Sequence, residues 1–207
     1  MVAKTTVEIL SNAKQTLATA NLGLQLMGTG TPDQRMAGLR NLVVFGRAVT
    51  NVLQNLRSTE PTFDQWYAPV VAEMRADPLL KYFYDLRSKI LKQGSTSTTV
   101  HVHINTFSSR DITRFGNPPP GAAAFFIGDP LGGTGWEVPQ PDGTAERYYV
   151  ELPGDIGSVQ VHLADAPSTH LGLPLPDSNV ERLSELYLDY LEGLLAKAVA
   201  RFGQKIT

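Results

Sequence analysis

Between Thr5 and Gly94 the apolar residues recur every three or four positions, the spacing that gathers them on one face of a helix. Four helices are predicted there. Thr5 with Glu8 has the S/T-x-x-E/Q spacing of a capping box and opens a helix whose apolar positions include Leu10, Leu17 and Leu24, closed by Gly28 and Gly30. Thr31 with Gln34 repeats that spacing, Pro32 stands where a missing N–H costs nothing, and the second helix should run to about Arg57. Its buried stripe is Met36, Leu39, Val43, Val49, Leu53 and Leu56. Thr62 with Gln65 starts a third helix, and Asp77-Pro78 ends it and begins a fourth, stopped by Gly94.

After the small polar run Ser95 to Thr99 the rhythm changes from 3.6 to two at Val100-His101-Val102-His103-Ile104, which predicts a strand. Further strands are expected at Ala122 to Ile127, Trp136 to Val138, Arg147 to Leu152 and Val159 to Leu163, divided by turns such as Pro141-Asp142-Gly143. Short links between them favour an antiparallel meander. Pro167 to Pro176 reads as irregular, and Ser178 with Glu181 caps a last helix ending at Gly203. The expected fold class is α+β: a bundle of about four helices (residues 1–94), an antiparallel sheet of about five strands (95–178), and a C-terminal helix (179–207) packing back on either region.

Composition narrows the functional field. With 207 residues, 42% hydrophobic, 18% charged and a formal charge of −2, the chain has neither the basic excess of a nucleic-acid-coating protein nor a long apolar run. No stretch reaches the roughly 18 apolar residues of a membrane helix, and Met1 to Ser11 lacks a secretory layout, so a cytoplasmic protein without membrane partners is expected. The absence of cysteine removes disulfides, thiolate metal sites and cysteine nucleophiles.

Arg40-Asn41-Leu42-Val43-Val44-Phe45 and Arg87-Ser88-Lys89-Ile90-Leu91-Lys92 both fall on predicted helices. They resemble the motif region of HEPN domains, four-helix folds of prokaryotic toxin, defence and RNA-processing systems. In active members an arginine, often followed by asparagine, precedes a histidine by four to six residues. Arg40, Asn41 and Arg87 match that start, whereas Phe45 and Lys92 stand where histidine would be. The four histidines, at 101, 103, 162 and 170, lie beyond the helical part, so the resemblance implies a catalytically degenerate, RNA-directed or defence-associated relative rather than a ribonuclease.

His101 and His103 flank Val102 and would share one strand face, about 7 Å apart at the backbone. His162 could supply a third metal ligand if its strand lies alongside, making a divalent metal the one cofactor to consider and a metal-dependent enzyme a third functional reading. The plainer alternative buries Val100, Val102 and Ile104 and leaves the histidines solvated. Gly132-Gly133-Thr134-Gly135 lacks the following Lys-Ser or Lys-Thr of a phosphate loop and reads as a turn. No serine-hydrolase elbow occurs, and nothing marks the acids Asp129, Glu137, Glu151 and Asp155 as a convergent pair, so no catalytic residue is assigned.

Two clusters suggest binding instead. Arg40 and Arg47 are seven residues apart on one side of the second helix and, with Arg57, Lys81, Arg87, Lys89 and Lys92, could make a phosphate-contacting face. Trp66, Tyr67, Tyr82, Phe83 and Tyr84 could line a ligand site, although aromatic residues at helical spacing usually build core. The candidate binding residues are therefore Arg40, Asn41, Arg47 and Arg87. By subtraction the expected function is a non-enzymatic binding or assembly protein, with a protein partner or self-association ahead of nucleic acid.

Overall fold

The computed structural model describes residues 5–203 as an α+β fold with five helices and seven short strands. The described chain divides into two compact units: a helical one of residues 5–30, 34–97 and 165–203, and a β-rich one of residues 31–33 and 98–164.

The helical unit holds α1 (Thr6–Thr29), α2 (Pro32–Leu53, whose first turn falls in the other unit), α3 (Phe63–Ala76), α4 (Pro78–Gln93) and α5 (Val180–Phe202). Its boundaries follow local chemistry. At the start of α1 the Glu8 N–H donates to Thr5 Oγ1 at 3.2 Å and the Thr5 N–H to Glu8 Oε2 at 2.7 Å, a reciprocal cap. Gly28 does not stop this helix; it continues to Thr29, with Gly30 as the cap. The α2 pattern ends at Leu53 and passes into a 3₁₀ turn, Gln54–Ser58. Asp77 caps α4 and Gly94 closes it at φ +66°, a conformation that favours a residue without Cβ. The cap of α5 is Asn179, one residue beyond the expected Ser178, because its side chain reaches the Arg182 N–H.

The core of this unit is made by the stripes that face each other. Leu39, Val43, Val49, Leu53 and Leu56 are enclosed, as are Leu10 and Leu17 of α1, so these positions serve intramolecular packing, while Leu24 is half-buried. α5 packs back along α1, and its Tyr187 ring stacks on Phe83 with centroids 4.3 Å apart and planes inclined at 4°. Close approach depends on missing side chains: a Cβ on Gly23 would meet Gly38 O at 2.5 Å, and one on Gly46 would meet the Tyr187 ring at 2.6 Å.

Residues 167–176, expected to be irregular, contain a small hairpin of β6 (Thr169–His170) and β7 (Leu173–Pro174). Its two central residues, Leu171 and Gly172, have φ of +48° and +78°, the backbone sense that two-residue hairpins require.

The β-rich unit contains β1 (Thr98–Ile104), β2 (Ala124–Ile127), β3 (Thr134–Pro139), β4 (Ala145–Val150) and β5 (Gly157–Leu163), with a 3₁₀ turn at Ser109–Phe115. These strands do not form one continuous meander. β2, β3 and β4 do, while β1 pairs antiparallel with β5, with Val100 opposite Val161. Phe115, Trp136 and Ile156 make the core of this unit. The Gly-rich segment is a turn, knotted by buried Asp129: Oδ1 accepts from the Leu131 and Gly133 N–H, and Oδ2 from Arg147 at 3.0 Å and the Tyr149 hydroxyl at 2.8 Å. Val102 and Ile104, expected to be buried, are each 41% exposed, because the β1–β5 ribbon is only two strands wide.

Candidate functional site

Within the helical unit, residues from four α-helices and one 3₁₀ turn line a cleft of about 640 Å³. α2 and the following 3₁₀ turn contribute Arg47, Thr50, Gln54 and Arg57. α3 adds Tyr67, Val71, Met74 and Arg75 at helical spacing, and α4 adds Leu80, Lys81, Tyr84 and Asp85. α5 closes it with Tyr187, Tyr190 and Leu191. Four cationic side chains thus line the cleft with one carboxylate, Asp85, in a chain whose overall charge is −2, while Asp64 and Glu73 hold Arg57 and Tyr190 at its edge.

The cations are held in different ways. Arg57 pairs with Asp64 at 2.6 Å and Lys81 with Asp85 at 2.9 Å, both on the surface. The Arg47 guanidinium donates to Asn51 Oδ1 at 2.8 Å and to the Thr50 hydroxyl, and lies 5.5 Å from the Tyr84 ring centroid. Arg75, exposed at the end of α3, has no ion-pair partner among the described residues.

The aromatic walls are fixed from behind. Tyr67 is stacked on Phe63 at 4.9 Å and Tyr187 on Phe83, while Tyr84 is 52% exposed. The Tyr67 hydroxyl is enclosed without a hydrogen-bond partner; the nearby Thr50 hydroxyl donates to Arg47 O instead. Burial pushes the pKa of Tyr67 and of Tyr187 up, which Arg47 partly opposes, so both phenols are neutral near pH 7. Tyr190 is also raised, by burial and by donating to Glu73 Oε1 at 2.8 Å.

Beside this cleft a second polar knot joins the 165–176 segment to the α3–α4 junction. Asp77 is buried and accepts from the Leu80 N–H at 2.8 Å, the Leu171 N–H at 2.6 Å and His170 Nδ1 at 3.0 Å. All its contacts are internal, and its role is structural.

Of the sequence-derived binding candidates, Arg47 lies in the cleft and the other three do not. Arg40 donates to Gly94 O at 2.9 Å and so caps the end of α4, while Asn41 donates to Thr19 O at 2.9 Å and ties α2 to α1. Arg87 is half-buried on α4 with its Nε enclosed. The aromatic cluster divides as well: Tyr67 and Tyr84 line the cleft, whereas Phe83 is core and Trp66 packs against Tyr67 and Phe202. Sequence reasoning missed Arg75, Tyr187 and Tyr190. Their signal was present as Tyr67-Val71-Met74-Arg75 and Tyr187-Tyr190-Leu191, stripes at three- and four-residue spacing that carry polar tips.

In the β-rich unit the β1–β5 pairing brings His101 and His162 together, with ring centroids 4.2 Å apart and planes at 22°; His162 is buried and His101 exposed. Imidazole donor pairs lie in the ring plane, and two nearly parallel planes do not converge on one ion. His103 lies two residues along β1, opposite Ser158. Among the described residues no group of three or more His, Asp or Glu is placed to hold a metal.

Residues 30–121 match the family of the bacteriophage lambda protein ea47. The match covers less than half of the chain. No curated protein and no solved structure matches it. This finding corrects the HEPN resemblance. Both arginine motifs, at Arg40-Asn41 and Arg87, fall inside a match to a different family, one that continues past the helices through β1. The architecture agrees: the fold is a mixed one with three antiparallel sheets, and the N-terminal helices share their core with α5 instead of forming a bundle alone. An arginine followed by aliphatic residues arises in any amphipathic helix, which is why the sequence resembled that motif. Among the described residues no helix is long and apolar enough to cross a membrane.

Proposed function

We propose that this chain is a non-enzymatic binding protein whose helical unit captures an anionic ligand in the cleft between α2, α3, α4 and α5. The observation that carries this reading is the meeting of Arg47, Arg57, Arg75 and Lys81 around one concave surface with a single lining carboxylate, Asp85. All four cations lie inside the stretch that matches the phage ea47 family. A binding role is favoured over catalysis because the cleft's acid is paired with Lys81 and the phenols of Tyr67, Tyr187 and Tyr190 are held neutral by burial, which leaves none of these groups set up as a base at neutral pH. The same reading places the protein in the cytoplasm, where phosphorylated ligands abound.

Titration calorimetry with pyrophosphate at low ionic strength tests it. Saturable binding that weakens with added salt, and that falls about tenfold or more in Arg47→Gln with Arg75→Gln, is the expected result. No heat of binding in the unaltered protein, or equal affinity in the double variant, would remove the reading.

A further inference from the structure

The cleft is far larger than a phosphate group and its walls are mostly not cationic, so charge alone does not describe what it takes. We infer that its ligand is a nucleoside phosphate, with the phosphate held by the cations and the base laid against the tyrosine wall; the inference rests on the anion-binding reading above.

Size is the first argument. About 640 Å³ lies in the range of sites that enclose drug-sized organic ligands, and an inorganic anion would leave the wall of Val71, Met74 and Leu191 facing water. The occupant must therefore have an extended uncharged part as well as a charge.

The second argument concerns the shape of that part. Tyr84 presents a ring that is 52% exposed, and the Arg47 guanidinium plane already lies over it at 5.5 Å. Bases stack on tyrosine rings and on guanidinium planes alike, and each such contact is sequence-tolerant because every base has a π-face. The deeper rings are immobilised by their own stacks, Tyr67 on Phe63 and Tyr187 on Phe83, so the platform loses little freedom when a flat ligand settles on it. Met74 supplies an adaptable edge to such a ring.

The third argument is polar complementarity. The phenols of Tyr67, Tyr187 and Tyr190 line the cleft in their neutral, proton-donating form. Ring nitrogens and carbonyls offer acceptors to phenols on this wall, whereas an aliphatic tail offers none. Arg47 has donors beyond those given to Thr50 and Asn51, and exposed Arg75 and Lys81 can approach the phosphate oxygens from the rim.

The test is titration of the full chain with AMP, GMP, CMP and UMP, beside adenosine, pyrophosphate and dodecyl phosphate. The tightest of the four nucleotides is expected to bind at least tenfold more tightly than pyrophosphate, adenosine or dodecyl phosphate. Tyr84→Ala, at an exposed position where the fold is not at stake, should weaken that nucleotide about tenfold and pyrophosphate by clearly less. Tyr84→Phe should retain binding. Pyrophosphate or dodecyl phosphate binding as tightly as the best nucleotide overturns the inference while the anion site stands, as does a Tyr84→Ala variant that binds nucleotide normally. Binding of none of these anions overturns both.

Discussion

Replacing Asp77 by alanine strips a buried acceptor from three donors at once: the Leu80 N–H that starts α4, the Leu171 N–H in the β6–β7 turn, and His170 Nδ1. The lost helix cap costs about 1 kcal/mol. The buried His170 donor and the partly buried Leu171 amide each add about 1–2 kcal/mol once left without a partner. The expected loss is therefore about 3–5 kcal/mol, a large part of the stability of a domain this size. Leu171 also sits at φ +48°, a conformation disfavoured for leucine that Asp77 helps to hold, so the 165–176 segment should become the first site of protease cleavage.

The pH dependence of this effect has a definite sign. Burial pushes the Asp77 carboxyl up, but hydrogen bonds from the Leu171 and Leu80 amides, and the bond and charge of His170, outweigh it and hold the carboxyl below its ordinary 3.8. A carboxyl depressed in the folded state contributes stability that is complete above its unfolded value and lost as pH falls through its folded one. Urea unfolding followed by far-ultraviolet circular dichroism at pH 7 and at about pH 3 measures this directly. Asp77→Asn should show a deficit at pH 7 that begins to shrink as pH falls below about 3.8, where the unfolded wild type takes up its proton first. A deficit of under 1 kcal/mol for Asp77→Ala, or an Asp77→Asn deficit that does not change with pH, would refute the reasoning.

Three further outcomes follow from packing and from hydrogen bonding. Gly23→Ala should destabilise by about 1–3 kcal/mol in thermal or urea unfolding, since its Cβ would stand 2.5 Å from Gly38 O and 2.7 Å from the Leu42 amide nitrogen and neither backbone atom can rotate away. Gly28→Ala, with open space around the same atom, should be neutral or slightly stabilising and serves as the control. Asp129→Ala should cost about 3 kcal/mol, lost from the β-rich unit, because two turn amides, Arg147 and Tyr149 lose one shared acceptor. Intrinsic fluorescence of Trp136, in the core of that unit, reports it.

What the sequence determined by itself is local. Thr5 with Glu8, Asp77 with Pro78, and Gly94 are start and stop signals whose partners lie within four residues, so those helix boundaries and the α+β class could be read without coordinates. The alternation at Val100 to Ile104 likewise marked a strand, but which strand it would pair with was not written there: β1 chose β5 over its neighbour β2. Periodicity says which side of an element is apolar and nothing about which element covers it, so Val102 was wrongly expected to be buried. The site shows the same division. Arg47, Tyr67 and Tyr84 were recognisable as a cation and aromatics on helices, yet Tyr187 and Tyr190 join them only because α5 returns to pack on α1, more than 150 residues apart in the chain. Tertiary packing alone decided that four arginines and lysines share a cleft while Arg40, with the same chemistry, spends its charge on a helix end. Hydrogen bonding over one helical turn is fixed by neighbours in sequence, whereas convergence of distant side chains is fixed by which apolar faces find each other.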